Sequence, residues 1–175
     1  MKFFSGILFT LGVIIILGLL IVYSGWYNVS AANKPSGLEN WLLGTTMDNS
    51  VSSHSSDIEA PNLKSPEMIN KGFAHYNEMC VGCHGAPGKE QTEMSKGLNP
   101  PAPDLSESAQ DMTPQALFWV TKNGIKMTGM PAWGLTHSDE KIWSIVAFIE
   151  KLPGMTGTEY DSLETHIKPM EEADE

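Results

Sequence analysis

The sequence predicts an all-α fold, a small helical domain carried behind a single membrane-spanning helix. Three observations predict it. Apolar residues recur at three- and four-residue spacing through the ordered stretches between residues 65 and 155, with Pro or Gly at the joints. No stretch alternates apolar and polar residues long enough to propose a sheet. Ahead of this domain, Phe3 through Val22 is an almost continuous apolar run. At about 1.5 Å per residue such a run spans the ~30 Å hydrocarbon core of a bilayer.

Residues 1–30 are read as this anchor. After Lys2 no charge occurs until Lys34, and Tyr23, Trp26 and Tyr27 fall where an aromatic belt meets the headgroups. Val29-Ser30-Ala31 offers a cleavage site for a signal peptide, but the apolar run exceeds the ~7–15 residues of a signal's hydrophobic region. The uncleaved anchor is the favoured reading. Lys2 holds the N-terminus in the cytoplasm and sends the rest across, to the periplasmic side of a bacterial inner membrane. With no cysteine near the start, a lipoprotein anchor is excluded.

Residues 31–64 are rich in Ser, Asn, Gly and Pro and hold no persistent period, so a flexible linker is expected there. As a coil it would reach about 30–35 Å. Trp41-Leu42-Leu43 interrupts it as an interfacial contact or docking turn.

The compact domain is placed at 65–155. Ser65-Pro66-Glu67 is a helix start, and Ile69, Phe73 and Tyr76 follow at helical spacing. Thr113-Pro114 repeats the signal for a short helix carrying Ala116, Leu117 and Val120 that Gly124 ends. A third helix starts near Thr136 or Ser138, with Asp139 and Glu140 suited to its first turn. Ile142, Ile145, Val146 and Ile149 are its apolar stripe, broadened by Trp143 and Phe148, and Leu152-Pro153-Gly154 stops it.

Cys80-Val81-Gly82-Cys83-His84 lies at the end of the first of these helices. C-x-x-C-H is an attachment site for c-type haem: two thiols form thioethers to one porphyrin, and the adjacent histidine reaches the iron. A thioredoxin-like pair would want a strand before it and a βαβ pattern around it. Structural zinc wants four ligands, and the chain's two cysteines are both used here. Completion by His54, His75, His137 and His166 has no ligand-like spacing.

A second iron ligand is sought in Ile125-Lys126-Met127-Thr128-Gly129-Met130-Pro131-Ala132-Trp133-Gly134, a loop between helices whose glycines permit close approach to a flat cofactor. Pro131 fixes the backbone after Met130, which makes Met130 the first choice and Met127 the runner-up. Most methionines fill gaps in cores, so only this context singles the pair out. His75 and His137 are the bis-histidine alternatives; both read more simply as surface histidines on polar helix faces.

Cys80-Val81-Gly82-Cys83-His84-Gly85, the stretch Leu98-Asn99-Pro100-Pro101-Ala102-Pro103-Asp104-Leu105, and Gly129-Met130-Pro131-Ala132-Trp133 occur in the order found in one family. Over residues 65–155 the chain resembles a monohaem class I cytochrome c, and within it the cytochrome c domain related to the diheme subunit of cbb3-type oxidases. The resemblance implies a class I cytochrome c fold around one covalent haem c. It also implies that a proline-segment carbonyl accepts a hydrogen bond from the other nitrogen of His84, with Pro100 the candidate, and that Trp133 lies near a haem propionate. Such a bond would orient the ring and raise its basicity. The diheme subunit has two haem domains, whereas this chain has one C-x-x-C-H. A free-standing tethered shuttle, or a small haem subunit of a larger complex, therefore fits better.

Charge narrows the partners. The chain has a formal net charge of −10, and no arginine. Nucleic-acid binding wants a basic face and is disfavoured. Lys122 and Lys126 near the methionine loop could meet an acidic redox partner. Residues 156–175 read as an acidic, disordered tail. The expected function is electron transfer in a respiratory or related redox chain, between a donor and an acceptor protein at the membrane, rather than enzymatic turnover. A haem-based small-molecule sensor or peroxidase, in which the distal ligand dissociates, remains the alternative from another class.

Overall fold

The computed structural model describes residues 2–167. In chain order the α-helices are α1 (Lys2–Ser24), α2 (Gly37–Ser55), α3 (Pro66–Met79), α4 (Val81–His84), α5 (Glu93–Lys96), α6 (Leu105–Ser108), α7 (Pro114–Asn123), α8 (Asp139–Ile149) and α9 (Gly157–His166). Single 3-10 turns stand at Ala109–Asp111 and Trp133–Leu135. Among the described residues there is no strand, only an isolated bridge between Ala86 and Lys89. The all-α expectation is met.

The chain divides into two units at Lys34–Pro35. In the first, α1 is long and apolar enough to cross a membrane, with none of its central window buried against protein. Length and composition of this kind fit an anchor or a signal sequence alike.

In the second unit α3 crosses α8 at very close range. Gly72 permits it: a Cβ there would collide with the backbone carbonyl of Ser144. Around this crossing lies the core, where Phe73, Tyr76, Ile142, Ile145, Val146, Phe148, Ile149 and Leu152 are all essentially inaccessible. Their rings interlock, Phe73 against Phe148 with centroids 5.3 Å apart and Tyr76 against Phe148 at the same separation. α7 joins α8 by stacking Phe118 on Trp143 at 4.1 Å, a geometry that adds to the area the two rings bury. The cap signals of α7 and α8 work as read: Thr113 accepts from the Ala116 amide, and Ser138 from that of Lys141. Ser65 makes no side-chain cap, so α3 starts on Pro66 alone.

Two expectations need correction. Residues 31–64 are not a uniform flexible linker, because Gly37–Ser55 is helical. Ser36 accepts from the Glu39 amide while the Glu39 carboxylate accepts from the Ser36 amide at 2.6 Å, a complete capping box. The C-terminal half of α2 lies on α7, with Val51 and Ser55 buried and the His54 ring 5.4 Å from that of Trp119. The missing period has a physical reason: only this short stretch of one face is covered, and its buried residues, Val51 and Ser55, are small.

The tail beginning at 156 is likewise not all disordered. Thr156 and Glu159 form a second capping box, and α9 docks on the core through Tyr160. That ring meets Phe73 at 5.2 Å and its hydroxyl donates to Asn77 at 2.9 Å. Glu164 holds the outer side, accepting from Lys89 at 2.6 Å and from Asn77 at 3.3 Å. Lys168 and the acids from 171 onward lie outside the described residues.

Candidate haem site

α3 delivers the attachment segment to the edge of the core. Cys80 caps α3 and is buried, Cys83 follows on α4 half-buried, and the two thiols are not bridged. Burial pushes the Cys80 thiol up to about 12, with Cys83 adding to the shift. The segment is fixed on both flanks. The buried Tyr76 hydroxyl donates to the Gly85 carbonyl at 2.7 Å, and desolvation raises its pKa well beyond the usual phenol range. On the other flank Thr92 bonds the Gly82 carbonyl through its hydroxyl at 2.7 Å, and Ser95 bonds that of Cys83 at 2.7 Å. Gly85 turns the chain away at φ +70°, where a side chain would be strained.

His84 is half-buried, and its Nδ1 donates to the carbonyl of Pro103 at 2.8 Å. Here the resemblance's expectation of a proline-segment acceptor meets the geometry, but the residue differs: Pro103, not Pro100. Pro100 is exposed, one of three prolines whose register the sequence leaves open. The loop's other contacts set it. Gln91 donates to the Ala102 carbonyl at 2.9 Å, and Asp104 caps α6 through the Ser106 amide at 2.8 Å. Burial lowers the His84 pKa, opposed by the Pro103 bond and the charge of Asp104.

This arrangement tests the fit for haem. A carbonyl only accepts, so Nδ1 carries the proton and Nε2 keeps a lone pair free for a metal. Burial favours the same neutral ring. Two unbridged thiols and a neutral, oriented imidazole within five residues are the donor set that c-type haem attachment needs. Among the described residues, no group of three or more His, Cys, Asp and Glu could hold a separate metal ion, so zinc has no ligand set there.

The methionine loop comes to this site through Leu98. The segment Thr92–Leu98 is bonded to the attachment motif, and the Leu98 side chain fills the space beside Gly129, where a Cβ would overlap its terminal carbons at 2.8 Å. Gly124 ends α7 at φ +65° and lies so close to the backbone of Met130-Pro131-Ala132 that a Cβ would sit 2.7 Å from the Pro131 carbonyl carbon. The Ile125 amide donates to the Met130 carbonyl at 3.2 Å, and the Met130 amide to the Thr128 hydroxyl at 3.1 Å.

The loop therefore holds its two methionines differently. Met130 is half-buried in this bonded turn. Met127 is 92% exposed, with a left-handed φ of 64°.

Trp133 is half-buried in its 3-10 turn, its ring 5.3 Å from that of His137. The histidine reading needs correction at His75. That residue is not on a surface: it is 1% exposed within α3, its ring 5.9 Å from His137. A single polar residue amid the apolar positions of α3 gave no sign of burial, because the α3–α8 crossing covers more of the helix than its apolar stripe does.

The all-helical fold and a family match over its core support a class I c-type cytochrome domain. More particularly, residues 67–149 match the family described as cytochrome c oxidase, cbb3-type, subunit III. No curated protein matches the chain. The match implies haem c as cofactor and a part in electron transfer.

Proposed function

We propose that this chain is a membrane-tethered monohaem c-type cytochrome that passes single electrons between redox proteins on the extracytoplasmic side of a bacterial inner membrane. Cys80 and Cys83 would hold the group covalently, and His84 and Met130 would ligate its iron. The observation that carries the reading is the His84–Pro103 hydrogen bond at 2.8 Å beside the two thiols. It orients the imidazole and raises its basicity as a ligand. Haem c, when bound, supplies the one redox-active iron.

The chain's own residues do the rest. Pro103 keeps the proton on Nδ1, Tyr76 and Ser95 hold the attachment segment by its carbonyls, and Gly124 lets the Met130 turn close on α7. Ligation by both His84 and Met130 would leave the iron no open position for a substrate. A His/Met pair also favours the ferrous state relative to two histidines.

A potentiometric titration of the full-length holoprotein tests this. A reversible one-electron wave, with no change in the ferrous spectrum under carbon monoxide, is expected. Ready binding of carbon monoxide would instead support the sensor or peroxidase alternative. The matched family is described as an oxidase subunit, which favours a second reading, a haem subunit of a larger membrane oxidoreductase. Copurification with such a complex, and loss of the complex on deletion of this chain, would establish it.

A further inference from the structure

α2 is two different surfaces end to end. Its C-terminal half is packed, through Val51, Ser55 and the His54–Trp119 contact with α7. Its N-terminal half carries Leu38, Trp41, Leu42 and Leu43, exposed at 70, 64, 54 and 66%. At 100° per residue these four do not share one narrow stripe but spread around the helix. The half that holds them is therefore an apolar peg projecting from the domain. Asn40 through Met47 contain no charge. Glu39, the acid at its start, has its carboxylate engaged by the Ser36 amide at 2.6 Å.

Scattered apolar residues on a surface need no explanation, but four large ones within six positions do. Chain length says what covers them. Only residues 25–36 separate the end of α1 at Ser24 from the start of α2 at Gly37. Fully extended, that connection reaches roughly 45 Å, and as a coil about 20 Å. The peg is thus confined to the neighbourhood of the bilayer into which α1 inserts. A short, uncharged helix end of Trp and Leu is what the headgroup–acyl boundary accepts.

We propose that the N-terminal half of α2 is a second, interfacial membrane contact, with Leu38, Trp41, Leu42 and Leu43 buried among lipid. Because the other half is packed on α7, the helix that leads into the Met130 loop, this contact fixes which side of the haem domain faces the membrane. The domain then does not sweep a free volume on a tether but is held at the surface in one orientation. The proposal rests on the reading of α1 as a retained anchor.

The test uses full-length holoprotein in vesicles of phosphatidylethanolamine and phosphatidylglycerol, at low protein-to-lipid ratio. A nitroxide is placed singly at Leu42→Cys in the peg, at Ser53→Cys on the exposed polar part of α2, and at Val13→Cys in α1. Accessibility to oxygen is compared with accessibility to a water-soluble nickel chelate. Leu42 and Val13 are expected to be several-fold more accessible to oxygen than to nickel, and Ser53 the reverse. A lipid-buried Val13 with a nickel-accessible Leu42 overturns the proposal and leaves the anchor intact, while a nickel-accessible Val13 shows that the anchor reading itself has failed. Shielding of Leu42 from both reagents, or spin–spin broadening that grows with protein density, would mean protein contact or pairing of copies and also overturns it.

Discussion

Gly72→Ala tests the α3–α8 crossing on which the site is built. Two opposing effects set its magnitude. In an exposed helix, Ala in place of Gly stabilises by about 1 kcal/mol, through helix propensity and a less flexible unfolded chain. Here the new methyl would overlap the Ser144 carbonyl and press on the Phe148 Cβ at 3.0 Å. The obstacle is backbone, so no rotamer change relieves it. The helices must part, and Phe73, Tyr76, Ile145 and Phe148 lose contacts together.

Overpacking of this kind costs about 1–3 kcal/mol and occasionally more. A clash with backbone belongs at the upper end, so the net effect is a loss of about 2 kcal/mol against a total of roughly 5–15. Urea denaturation of the holoprotein, followed by far-ultraviolet circular dichroism, reads it as a lower midpoint at unchanged slope. A variant as stable as the parent, or more so, would refute the close crossing.

Three further predictions follow from the site and its supports. Gly124→Ala forces a side chain to φ +65° and into the Met130–Ala132 backbone, so the methionine ligation signal should weaken even where the fold survives; an unchanged visible spectrum would contradict this. Tyr76→Phe leaves the Gly85 carbonyl without its buried donor and should cost about 1–2 kcal/mol in the same urea assay, whereas no loss would show that the bond does not brace the attachment segment.

Acid should release α9. The Thr156 amide and hydroxyl lower the Glu159 pKa, and the bonds from Lys89 and Asn77 lower that of Glu164. Their stabilisation is complete above the ordinary carboxylate value of 4.5 and is lost as pH falls through the lower folded values. Hydrogen exchange at the Tyr160 amide should therefore accelerate only in that acidic window, and loss of protection already near neutrality would contradict the assignment.

The parts of this molecule legible in the sequence were those whose local chemistry determines them. α7 and α8 start at Thr113-Pro114 and Ser138 because those side chains accept from the amides two or three residues into the helix, a property of the residues themselves. Met130 is held in its turn by bonds with Ile125 and Thr128 and by Gly124, contacts that the Pro131 signal in the sequence does not report. α2 and α9 were missed although each announces itself by a capping box, Ser36-x-x-Glu39 and Thr156-x-x-Glu159. Their apolar faces are too short to show a period, and serine-rich or acidic composition hid the start signal. The Pro103 acceptor could not be found by local reading, because contacts from Gln91 and the α6 cap choose among three prolines. His75 belongs to the same group, since its burial is a property of the crossing and not of its neighbours in sequence.

The central claim, one covalent haem held by His84 and Met130, is tested most directly by absorption spectra of the full-length protein, oxidised and reduced and extended to the far red. A weak sulfur-to-iron charge-transfer band in the oxidised form is expected, retained in Met127→Ala and lost in Met130→Ala. A low-spin, methionine-type spectrum that survives Met130→Ala, or a bis-histidine spectrum in the parent, would contradict it.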